Sequence, residues 1–134
     1  MLEQLNARLD TLSSSLQLRS ARQQVLASNI ANVDTPGYVA RDIDFGAALE
    51  NALTGKVRRP LEQTNVRHLT VTSTDGLIGN PLAYTVQTQP SLDGNSVDLD
   101  QQRANFTDNA IRYESTLRFI NGHVKTMLSA ITGQ

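Results

Sequence analysis

Two histidines, 13 acidic and 12 basic side chains carry most of the titratable chemistry of this 134-residue chain, which has no cysteine. That excludes disulfides, thiol nucleophiles and thiolate metal sites. His68 and His123 stand far apart, and neither has a carboxylate at a familiar ligand spacing, so no metal and no other cofactor is expected. The acidic stretch from Asp93 to Asp100 faintly resembles a calcium loop but lacks that motif's glycine position and its distant bidentate Glu, and helix entry explains it better. Lys56, Arg58 and Arg59 read as a solvated basic loop beside Pro60. Asn105-Phe106-Thr107 is formally a glycosylation acceptor, but it falls in the middle of a helical pattern. No phosphate-cradling glycine loop, nucleophile elbow or carboxylate dyad is present, so there is no catalytic constellation and no enzyme is expected.

The elements around these residues carry more information than the residues themselves. At the N-terminus, Leu2, Leu5, Leu9, Leu12, Leu16, Leu26, Ile30 and Val33 follow the 3,4 spacing of a heptad seam, broken only at Arg19 and Gln23. This predicts one helix over residues 1–33, ended by Thr35-Pro36-Gly37, where the proline disfavours helical backbone before it and Pro-Gly suits a type II turn. Leu99, Phe106, Ala110, Tyr113, Leu117, Ile120, Val124, Met127 and Ile131 repeat the spacing, with Arg103 as the polar interruption. A second helix is therefore predicted within residues 98–134, capped by Asp98 with Gln101 reaching back, and ended by Gly133. Gly122 lies inside it and signals either a close neighbouring backbone or tolerated weakness.

Between the helices, residues 34–97 hold all four prolines and six of the eight glycines. A short helix is expected over 45–53, capped by Asp44 and stopped by Gly55, and a β-hairpin from Leu69–Thr72 and Tyr84–Thr88. The predicted class is mainly α: an antiparallel coiled-coil pair of terminal helices around a turn-rich, partly β insert. In the register this implies, Leu9 meets Val124, Leu12 meets Ile120, Leu16 meets Leu117 and Leu26 meets Phe106. Arg19 then falls opposite Glu114 and beside Tyr113, pairing there or else pointing to solvent. Further apolar residues off the seam, among them Leu18, Ala21, Val25, Ile111 and Leu128, widen the apolar surface beyond what a two-helix hairpin buries, which favours a packed multimer.

A net charge of -1 provides no field to gather nucleic acid or anionic lipid, and no apolar run is long enough to span a membrane. The first residues interleave polar with apolar and lack the core of a cleavable signal peptide, so any export is expected by another route.

Ser28-Asn29-Ile30-Ala31-Asn32-Val33-Asp34-Thr35-Pro36-Gly37-Tyr38 closely resembles the N-terminal motif of the axial proteins of the bacterial flagellum, which include rod, hook and hook-associated proteins. Arg41 to Phe45, Asp93 to Leu99 and the ending from Arg112 to Lys125 are similar to the proximal rod members of that group. The resemblance implies a non-enzymatic subunit of a hollow drive shaft, with both terminal helices lining the export channel. It also implies passage through the flagellar type III apparatus into a periplasmic rod. The implied neighbours are further copies of the chain, other proximal rod proteins, and an adaptor joining the rod to the membrane ring. The competing reading is a small soluble coiled-coil adaptor, for which the heptads alone suffice.

Overall fold

The computed structural model describes residues 2–54, 83–84 and 92–133. Its elements are α1 (Leu2–Ala31), β1 (Arg41–Asp42), α2 (Phe45–Thr54), β2 (Ala83–Tyr84) and α3 (Leu99–Thr132). The expected strand over 69–72, His68, the basic trio and Gly55 lie outside the described residues. Tyr84 and Ala83 pair antiparallel with Arg41 and Asp42, a connection between β1 and β2 that the local alternation did not indicate.

Helix α1 stops two residues short of the predicted end because its last turn tightens. The Asn32 N–H reaches the carbonyls of Ser28 and Asn29, and the Val33 N–H bonds Ile30. The Tyr38 N–H then closes onto the Thr35 carbonyl at 3.2 Å, with Gly37 at φ 71°, the geometry of a type II turn across Pro36-Gly37. Asp44 caps α2 through Oδ1 to the Ala47 N–H. Asp98 caps α3 by accepting the N–H groups of Asp100 and Gln101, both at 3.1 Å, so the Gln101 contribution seen is its backbone N–H. Gly133, at φ 75°, ends α3 in a left-handed cap.

Helix α1 is covered on two sides. One side packs along α3; the other carries Leu18, which forms a small core with Ile43 and Ala48, backed by Ala21, Val25, Phe45 and Leu49. Leu26 is fully buried, whereas Leu5, Leu9, Leu12, Leu16 and Ile30 are half-buried. A bidentate ion pair from Arg22 to Asp42 at 2.6 and 2.8 Å ties β1 against α1. The bond from Asp42 is the main reason the Arg22 guanidinium titrates above its ordinary range, against the opposing effect of burial.

The glycines of this frame differ in sign. Gly94 (φ +73°) requires a left-handed backbone, and a Cβ there would meet only the Gly37 Cα at an ordinary 3.7 Å. Gly94→Ala is therefore expected to cost about 1–2 kcal/mol from backbone strain alone. Gly122 is helical with open space where a Cβ would stand, so among the described residues no neighbouring backbone approaches it. Gly122→Ala is expected to stabilise the isolated chain by up to about 1 kcal/mol. Urea midpoints of the two variants should shift in opposite directions.

Candidate assembly interface

The residues of the motif at the end of α1 form a hydrogen-bonded node. Asn29 is completely buried and uses its whole side-chain amide. Its Nδ2 donates to the Arg41 carbonyl at 2.7 Å and to Gln102 Oε1 at 3.0 Å, while its Oδ1 accepts from the Tyr38 hydroxyl and the Arg41 N–H, both at 3.2 Å. One side chain of α1 thus holds β1, the Pro-Gly turn and α3 together. Asn32 donates back to the Ser28 carbonyl at 2.8 Å and accepts from the Thr35 hydroxyl at 3.2 Å, which shapes the turn from within. The Ser28 and Tyr38 hydroxyls lie 3.4 Å apart, and Ala31 and Pro36 remain exposed.

A second amide joins the turn to the segment before α3. Asn95 is buried, and its Nδ2 donates to the carbonyls of Asn32, Val33 and Thr35 at 2.7–3.1 Å, while its Oδ1 accepts from the Val97 N–H at 2.8 Å. The Gly37 N–H to the Asp93 carbonyl, the Ser96 N–H to the Tyr38 carbonyl, and the Ala40 N–H to Ser96 Oγ complete the stitching. Carbonyls of the turn that follows α1 thus accept from a side chain sixty or more positions away.

The face that α3 turns toward α1 differs from the expected seam. Its buried residues are Gln102, Asn109 and Thr116, all polar. Asn109 is 0% exposed and donates to the Arg19 carbonyl at 2.9 Å and to Gln23 Oε1 at 2.6 Å. Phe106 and Ile120 are half-buried, but Tyr113 is exposed, as are Leu117 at 39%, Val124 at 50% and Ile131 at 83%. The heptad phase predicted for α3 is thus turned by one residue. The 3,4 spacing identifies the stripe that needs burial but not the molecule that buries it, and amides at neighbouring positions win the contact within the chain. His123 is half-buried, while its neighbour Val124 faces out.

The proposed pairing of Arg19 with Glu114 or Tyr113 also fails. The Arg19 guanidinium lies over the Phe45 ring of α2, 4.3 Å from its centroid, because residue 19 sits at the edge of the Leu18 face. Burial, then repulsion from Arg112 and Arg22, lowers its pKa, and Asp108 partly offsets them. Glu114 instead bonds Arg118 one turn along the solvent side of α3, as Asp108 bonds Arg112. Such exposed pairs contribute little to stability.

Among the described residues no group of three or more His, Asp or Glu side chains could hold a metal ion, and no helix is long and apolar enough to cross a membrane. What the geometry offers is a hydrogen-bonded frame that leaves an apolar stripe of α3 facing outward.

Residues 4–38, which carry α1 and the turn at its end, match the family of flagella basal body rod proteins. That defines the class: structural components of the flagellar base. Over nearly the whole length, the chain is 42% identical to the flagellar basal body rod protein FlgB of Escherichia coli K12 (98% of this chain, 97% of that protein). It is 43% identical to that of Proteus mirabilis HI4320 (98% of both) and 41% identical to that of Salmonella typhimurium LT2 (99% of both). The chain belongs to the FlgB family of flagellar basal body rod proteins, a family of structural subunits and not of enzymes.

Proposed function

We propose that this chain builds the proximal part of the rod, a hollow shaft in the periplasm that transmits torque and encloses the export channel. The observation that carries this reading is the outward stripe of Leu117, Val124, Leu128 and Ile131 on a helix whose inward face is polar. A soluble monomer rarely exposes such a row, and a subunit packed among its own kind buries it. Its neighbours are further copies of the chain, other proximal rod proteins and the adaptor that links rod to membrane ring, and it reaches them through the flagellar type III apparatus. The terminal helices pair antiparallel. The bonds from α1 residues 23 and 29 reach α3 residues 109 and 102, so the contact descends one helix as it climbs the other. Residues 1–33 and 98–134 form the inner-tube helices, and 34–97 the segment between them. The node at Asn29, Asn32, Thr35, Gly37 and Tyr38 sets the angle between these parts.

Complementation tests the reading. An epitope-tagged chain expressed in a bacterium lacking its own proximal rod subunit is expected to restore swimming and to co-purify with basal bodies. Recovery of the chain only as a discrete soluble dimer, in cells without flagella, would overturn it in favour of the adaptor.

A further inference from the structure

Helix α3 carries two seven-residue rows one position apart, hence about 100° apart around its axis. One is polar: Gln102, Asn109, Thr116 and His123. The other is apolar: Ala110, Leu117, Val124 and Ile131. Phe106, Tyr113, Ile120 and Met127 lie between them, so both rows are available to α1 with the same central residues. Removal of apolar area from water favours turning the apolar row inward. The structure does the reverse: Asn109 and Thr116 are buried while Leu117, Val124 and Ile131 are exposed.

The bonds between the helices account for the inversion. Gln102 Oε1 accepts from Asn29, and Asn109 donates to the Arg19 carbonyl and to Gln23 Oε1. Thr116 takes no part, since its hydroxyl bonds the Arg112 carbonyl of its own helix at 2.8 Å. Among the described residues, Asn109 Oδ1 and Arg19 Nε are buried without a hydrogen-bond partner, which makes this contact costly in stability. Buried polar groups of this kind fix orientation and register at a cost in stability.

We propose that Gln102 and Asn109 form a rotational lock: positioning residues that hold the apolar row of α3 outward, where the proposed rod neighbour takes it up. The destination of the row rests on the assignment to the rod; the lock does not. Without it, α3 turns its apolar row onto α1 and the subunit hides the surface by which it assembles.

Thiol labelling of the isolated full-length chain tests this. Single cysteines at adjacent positions, Thr116→Cys and Leu117→Cys, report the two rows at the same distance from the helix end, so fraying affects both alike. With the lock intact, the cysteine at 117 reacts faster. In the Gln102→Leu/Asn109→Leu background the order reverses, the ratio changing by about tenfold or more. Asn109→Leu alone, which keeps the Asn29–Gln102 bond, moves the ratio part of the way and serves if the double variant does not fold. An unchanged ratio in both backgrounds, or equal acceleration at both positions, would overturn the lock. Because no assembly is involved, that failure is separate from any failure of the chain to restore swimming.

Discussion

Asn29→Leu is expected to remove a large part of the stability of the isolated chain, about 3–5 kcal/mol, although the new side chain has the same branching and number of heavy atoms. The buried amide makes four hydrogen bonds to three separate parts of the chain, and Leu makes none. The Tyr38 hydroxyl, Gln102 and both backbone groups of Arg41 lose that partner, and polar groups buried without replacement cost about 1–3 kcal/mol each. Against a typical total of roughly 5–15 kcal/mol for a domain, the loss is large. Asn29→Asp keeps the two accepted bonds and loses the two donated ones, so its denaturation midpoint should fall between wild type and Asn29→Leu. A midpoint for Asn29→Leu within error of wild type would mean that the node does not hold the fold.

A pair of charge insertions should separate folding from assembly. Leu26→Asp places a carboxylate at a completely buried position of α1 and should prevent folding, at a cost of several kcal/mol. Val124→Asp changes a residue that is 50% exposed, so the isolated chain should keep its helix content and its urea midpoint to within about 0.5 kcal/mol. In the rod the same carboxylate would be pressed against a neighbour without a partner, and swimming should be abolished. Circular dichroism of the purified chain and motility of the complemented strain provide the two readouts. Wild-type swimming by the Val124→Asp strain would show that the outward row of α3 is not an interface.

Helix extents, the Asp98 and Gly133 caps and the Pro36-Gly37 turn were legible because each depends on residues within a few positions of one another. The phase of α3 was not. Leu117 and Val124 fit the apolar period as well as any residue on α1, but whether Asn109 or Ala110 faces inward depends on Gln23 and the Arg19 carbonyl, far away in sequence. Arg19 interrupts a leucine row and invited pairing with a charge, yet the nearest favourable surface was the ring of Phe45. The motif from Ser28 to Tyr38 could be read as a motif, while the reason for its asparagines became visible only with Arg41, Gln102 and the carbonyls they bind. Asn95 stood only as one residue of the Asp93 to Leu99 resemblance, and the three carbonyls that accept from it lie in the turn after α1, some sixty positions away.

The Asn95 stitch brings the chain back beside the turn after α1 once β1 and α2 have packed on that helix, so the sequence between α2 and Asn95 is held at both ends. Closing a loop costs an entropy that grows only logarithmically with its length, about 0.6 kcal/mol for each doubling. A subunit pinned in this way is a socket: longer or shorter sequence can be fitted between the end of α2 and Asn95 while the terminal helices stay where they are.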